Sequence, residues 1–192
     1  MNINNYILKT EKKEIKLEEY IDLLNNDDDK NEIIDIFITK FKEDYTSSID
    51  LLLENKKMYT ASLVIVSAID ILAKHYSGSD KLGGVGERYK KFLEIYFKEL
   101  IGSFDLEKEI YTNFRCGITH SNSSAIDFTL DSEIKTFESQ DGRKVINLGW
   151  LLKKLKEVIK QYKKELLEVE DIYINFLNVE RNLYCEQIKG EK

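Results

Sequence analysis

Proline is absent from all 192 residues, where average usage near 5% would give roughly ten. No pyrrolidine ring interrupts a helix, and Leu, Ile, Lys and Glu are abundant throughout, so long unbroken helices are expected. Cysteine is scarce as well. Cys116 and Cys185 lie far apart with no C-x-x-C spacing, and the opening MNINNYILKTEKKE lacks the apolar centre of a secretory signal. Both features point to a reducing, cytoplasmic setting. Long apolar runs are missing too: the longest, Ala61 to Ala73, is interrupted by Ser62, Ser67 and Asp70 and falls short of the ~20 residues that span a bilayer. It reads as a buried helix, and no membrane partner is expected. Positive charge is not in excess either. A formal charge of -6 excludes a surface that grips nucleic acid by bulk electrostatics, so any polyanion site has to be local.

What is present is helical periodicity. Apolar residues from Ile15 to Leu24 predict a first helix that stops at the polar run NNDDDKNE. Those acids do not form a calcium loop, because Gly is missing at the sixth position and Ile38 stands where a bidentate Glu is needed; they read as a helix-capping loop. Ile33, Phe37, Phe41, Tyr45, Ile49, Leu52 and Leu53 mark a long amphipathic helix, and a third helix, apolar on most sides, is predicted from Tyr59 to about Tyr76, ending near Gly78. The GGVG that follows comes after a helix and lacks a closing G-K-[ST], so it reads as an inter-helix connection and not as a phosphate cradle. A helix from Gly86 or Glu87 comes next, then one capped by Asp105 and running toward Arg115, which Gly117, Ile118 and Thr119 should loosen. Between about 125 and 148 the period changes to two, and QDGR before KVINL predicts a small β-hairpin insertion. From Trp150 the chain returns to a long C-terminal helix, with room for a break, to about Tyr184. With no repeat or linker, residues 1–192 read as a single, mainly α domain.

Chemistry concentrates in FRCGITHS. The chain has two histidines and four arginines, and Arg115 and His120 bracket this segment. On an ideal helix residues five apart differ by about 140°, so a distorted or ending helix is needed to bring the two together. An arginine stays charged and can clamp a phosphate, while a histidine exchanges a proton near neutral pH. Attack of a 2′-hydroxyl on its own phosphate needs both a base and an acid. One motif holds one histidine, so a two-fold dimer that juxtaposes two copies would complete the set, with no metal and no cofactor.

An Arg, four intervening residues and a His near the end of a late helix, together with YTASLVIVSAIDILAKHYSG and GERYKKFLEIYF, resemble the HEPN superfamily over roughly Met58 to Asn122. The resemblance implies a HEPN-like helical bundle and a homodimer that pairs the motifs. It also implies metal-independent endoribonuclease activity in toxin, antiviral or RNA-processing roles, with Arg115 and His120 as catalytic residues. Active members often carry Asn, Asp or His directly after the Arg, where this chain has Cys116. Other members bind nucleic acid or act as scaffolds without cleaving, and an antitoxin or other protein partner is compatible with either role.

Further candidates surround the motif. Asp70, in an otherwise apolar helix, needs a partner and can orient Arg115 or His120, or pair with Lys74. Thr119 and Asn122 flank His120 as candidate supporting residues. Lys153, Lys156 and Lys160 belong to a lysine-rich helix that is either a solvated face or a local RNA-contacting strip. His75 reads as structural, a cation near a helix C-terminus. Cys116 and His120 at four-residue spacing also allow a thiol nucleophile, without an evident orienting residue, and no Cys/His pair has zinc spacing.

Overall fold

The computed structural model of the chain describes residues 7–9, 14–26, 29–78, 84–101, 105–118, 126–130, 136–138 and 144–186. Helices dominate, as the periodicity predicts, and among the described residues strands are confined to one hairpin and one small sheet. The order is β1 (Ile7–Lys9), β2 (Glu14–Lys16), α1 (Leu17–Asn26), α2 (Lys30–Phe41), a π-wound stretch (Lys42–Ser47) and α3 (Ser48–Glu54). Then come α4 (Met58–Ser77), α5 (Val85–Tyr96), α6 (Lys98–Ile101) and α7 (Leu106–Cys116), the last wound as a π-helix. After β3 (Ile126–Thr129), β4 (Thr136–Glu138) and β5 (Lys144–Asn147), the chain ends in α8 (Leu148–Glu168), α9 (Glu170–Arg181) and a π-wound stretch (Asn182–Glu186).

Local chemistry explains most boundaries. Asp29 is the N-cap of α2, its carboxylate accepting from the Glu32 N–H at 3.0 Å, as expected of the acidic run. Gly78 closes α4 at φ +68°, its N–H bonded to the Lys74 carbonyl at 3.1 Å. A Cβ at Gly78 would lie 2.5 Å from Asn175 Oδ1, and the Asn175 amide donates to the Tyr76 carbonyl at 3.1 Å. Gly84, at φ +84°, is the N-cap of α5. Asn147 Oδ1 accepts the Trp150 N–H at 2.9 Å and starts α8 directly from the end of β5. Helix α8 stops at Val169, whose extended backbone precedes α9, so the C-terminal helix is two.

Two expectations change. Ile15 is not helical: it lies in β2, buried, opposite Leu8 of β1, so the first helix begins at Leu17. The insertion holds more than a hairpin. Strands β4 and β5 pair antiparallel, as Asp141-Gly142 predicts, but β3 pairs parallel to β5, giving the order β3-β5-β4.

The chain forms two compact units. The first comprises residues 1–44, 74–80 and 159–192. Among its buried side chains are Tyr20, Ile33, Phe37, Tyr162, Phe176 and Leu177. At its centre Glu180, only 3% exposed, accepts from the Tyr20 hydroxyl through Oε2 and pairs with His75 Nε2 through Oε1 at 2.8 Å. The His75 ring packs against Phe37 and Phe176. His75 is thus structural, through a buried pair and not as an exposed cation at a helix end. The second unit comprises residues 45–73 and 81–158, with Ile65, Ile69, Phe92, Phe114, Ile146 and Leu155 among its buried residues.

Helix α4 covers 20 residues with mean hydropathy 1.3, long and apolar enough by length and composition to cross a bilayer. Half of that window is buried inside the protein, as expected of a core helix.

Candidate functional site

The site grows from two helices of the second unit. Along α7 and just beyond its end, the apolar residues Ile110, Phe114 and Ile118 repeat every four positions, and all three are buried. On a 100° helix such a stripe drifts by about 40° per step, whereas i→i+5 bonding widens the turn and keeps the stripe on one side. The winding starts at Asp105, whose carbonyl accepts from the N–H groups of both Glu109 and Ile110, and whose own N–H donates to Glu109 Oε2 at 2.8 Å. Gly117 and Ile118 return to α-helical winding. The wide winding thus runs from Leu106 through Arg115 to Cys116, and not over Gly117 and Ile118, where loosening is expected; Thr119 lies outside the described residues.

The same winding places Tyr111 and Arg115 together beside the buried stripe. The Arg115 guanidinium lies 5.7 Å from the centroid of the Tyr111 ring, within cation–π range. Across from it stands Asp70 of α4. Arg115 Nε donates to Asp70 Oδ2 at 3.0 Å, and Nη2 donates to the same oxygen. Both donors converge on one oxygen, so this is not the fork in which two parallel bonds use both carboxylate oxygens. Arg115 Nη1 also reaches Cys116 Sγ at 3.7 Å.

The pair is part-buried, with side-chain exposures of 15% for Arg115 and 21% for Asp70. Burial works against the charge of Arg115, but the hydrogen bonds and charge of Asp70 outweigh it and raise the guanidinium above its ordinary pKa. Arg115 is a fixed cation at every working pH. Tyr89 of α5 is fully buried nearby; burial, followed by the charge of Asp70, pushes its hydroxyl far above the ordinary range. Asp70 Oδ1 and the Tyr89 hydroxyl are buried without a hydrogen-bond partner among the described residues. Buried polar atoms rarely stay so, and the pair marks hydrogen-bonding capacity beside Arg115 that the described side chains do not use. Burial and then Cys116 raise the Tyr111 hydroxyl as well.

The end of the motif helix is tied down separately. Ile118 is buried, and its carbonyl accepts from the Tyr59 hydroxyl at 3.0 Å, at the start of α4. His120, Thr119 and Asn122 lie outside the described residues. Strand β3 packs on α7 through Phe128 against Phe114, rings 5.9 Å apart, so the β insertion borders the motif helix.

Of the sequence candidates, Asp70 and Arg115 are brought together. Among the described residues the cation bonded to Asp70 is Arg115. The lysine strip on α8 is offset along much of its length. Lys154 pairs with Glu99, Lys156 with Asp50, Lys163 with Asp35 and Lys164 with Glu168. Lys153 and Lys160 are exposed. Among the described residues no three His, Cys, Asp or Glu side chains gather as a cation site. Tyr59, Tyr89 and Tyr111 were not signalled by the sequence, although Tyr111 stands four residues before Arg115, the spacing of same-face neighbours. Comparisons with family models, curated proteins and solved structures return no match to this chain.

Proposed function

We propose that this chain is a metal-independent endoribonuclease of the HEPN type, in which Arg115 and His120 from each of two subunits act on one RNA strand. The observation that carries the reading is the Arg115–Asp70 pair: a guanidinium held in one orientation by a carboxylate from another helix, with part of its surface open. Such a group can stabilise the charge that builds on a phosphate attacked by its neighbouring 2′-hydroxyl, because its orientation is set before the reaction begins. His120, two residues beyond the anchored Ile118, supplies the proton transfer, and its symmetry mate supplies the second. Asp70 is a positioning residue that acts through Arg115. Cys116 and Cys185 are not joined in a disulfide, which suits a cytoplasmic protein, and a toxin or antiviral role with a protein antitoxin fits this chemistry.

The test is cleavage of single-stranded RNA after chelator treatment. Cutting by the wild type and its loss in His120→Ala at unchanged fold is the expected result; equal cutting by that variant rules out the assigned role. A second reading, a non-catalytic binding or scaffolding module, is favoured by the offset lysines of α8, which leave little positive field for RNA. It predicts association that survives His120→Ala, with no cleavage by either form.

A further inference from the structure

The glycines of GGVG do different work from a phosphate cradle. A Cβ at Gly84 would meet nothing within 4 Å, and that glycine serves the positive φ of an N-cap. Gly86 is different: a Cβ there would lie 2.9 Å from Tyr111 Cζ and 3.1 Å from its hydroxyl oxygen. The Tyr111 ring is therefore seated in a notch that only the missing side chain of Gly86 provides. Tyr89, one turn along α5, bounds the same seat with ring centroids 6.0 Å from Tyr111. The far side of the chain of contacts is Arg115, whose guanidinium lies 5.7 Å from the Tyr111 ring and whose in-plane donors are held by Asp70.

We infer that Tyr111, seated on Gly86, is a positioning residue that sets the plane of the Arg115 guanidinium. Asp70 fixes where Nε and Nη2 point, and Nη1 reaches Cys116 Sγ at 3.7 Å, so these polar contacts aim the edge of the guanidinium. The Tyr111 ring, its centroid 5.7 Å from the guanidinium carbon, adds a cation–π contact that those edge bonds do not supply. The position of Arg115 is then set by residues on three helices: Asp70 on α4, Gly86 on α5 and Tyr111 on α7 itself. The inference rests on the ribonuclease reading for its catalytic consequence, although the seating itself is independent of any substrate.

Gly86→Ala is the discriminating perturbation, because its methyl group meets the far end of one side chain and leaves the charged residues untouched. Alanine is also the better helix former, so stability has little reason to fall. The first readout is the Arg115 Nε–H resonance in a ¹⁵N–¹H spectrum of the full chain, which the Tyr111 ring shifts. The second is kcat and KM for single-stranded RNA. Gly86→Ala is expected to move the resonance and to lower kcat on the order of tenfold or more, the scale of a small misplacement, with KM changed less than about twofold. In a Tyr111→Leu background the same substitution should do neither, since the seated ring is gone, and Tyr111→Phe should retain the wild-type kcat. A resonance unmoved by Gly86→Ala, or an equal effect of that substitution with and without Tyr111, overturns the inference. If the wild type cuts no RNA, the ribonuclease reading fails while the resonance still decides the seating.

Discussion

Glu180→Ala is the most severe single substitution the structure identifies in the first unit. The carboxylate is 3% exposed and is bonded at both oxygens, to Tyr20 and to His75, themselves 1% and 2% exposed. Truncation removes one member of a buried, hydrogen-bonded pair, which costs about 3–5 kcal/mol, chiefly because the groups left behind are already desolvated. For a chain of this size 1 kcal/mol corresponds to roughly 2–4 °C, so the melting midpoint should fall by about 6–20 °C. Tyr20→Phe is a milder version: it leaves Glu180 one bond to His75 and should cost about 1–3 kcal/mol. The assay is thermal unfolding by circular dichroism at pH 7, with urea titration as a check that the unfolded baselines agree. A double substitution, Tyr20→Phe with Glu180→Ala, should cost less than the sum of the two, because one bond is counted in both. A midpoint lowered by less than about 2 °C in Glu180→Ala, or strict additivity in the double, would refute the view that these three side chains act as a unit.

On the ribonuclease proposal, Asp70→Asn should lower kcat by about ten- to a hundredfold while KM for RNA stays level or falls, since a negative charge beside Arg115 is removed together with the orientation it provides; a raised KM at unchanged kcat contradicts the positioning role. Tyr162 is buried with no hydrogen-bond partner among the described residues, and burial raises its hydroxyl well above the ordinary value. Its contribution to stability is fully present below the unfolded-state pKa near 10 and is lost as the pH climbs beyond that. Tyr162→Phe should therefore melt at the same or a higher temperature at pH 7 and lose stability less steeply above pH ~10, with pH-dependent melts as the measure. Gly78→Ala should destabilise by about 2 kcal/mol or more, from the left-handed backbone together with a methyl group pressed on Asn175; denaturant midpoints report it.

How far the sequence spoke depends on the range of the interaction. Periodicity located α4 within a residue or two, and Asp29, Gly78 and Asp141-Gly142 signalled a cap, a stop and a hairpin, because each acts on its own neighbours. The parallel partner of β5 was not legible, since β3 reaches it only through the fold. Nor was the N-terminal hairpin, where Ile15 fits an α stripe as well as a β one and only the opposite Leu8 decides. Glu180 is one charge among 35 acidic residues, and nothing local distinguishes it from the solvated ones. For the site, Asp70 stood out as a carboxylate in an apolar helix, and the structure supplies its partner. The π winding has its own signal: Ile33, Phe37, Phe41, Tyr45 and Ile49 repeat strictly every four residues across Lys42–Ser47, as Ile110 and Phe114 do in α7 with Ile118 just beyond it. Val169 is apolar yet 41% exposed, at the extended position between α8 and α9.

The wide winding of α7 makes chain length, more than residue type, the sensitive variable near Arg115. Excising one residue between Asp105 and Tyr111 at unchanged winding would rotate everything downstream by roughly 100° or somewhat less, one residue's step around the helix. Tyr111 and Arg115 would move together and leave Gly86 and Asp70 in a single step, although every side chain in the cluster had been kept. A lineage that inserts or loses one residue in this segment therefore crosses between two discrete arrangements with no intermediate, whereas substitutions on the outer face of the same helix drift at little cost.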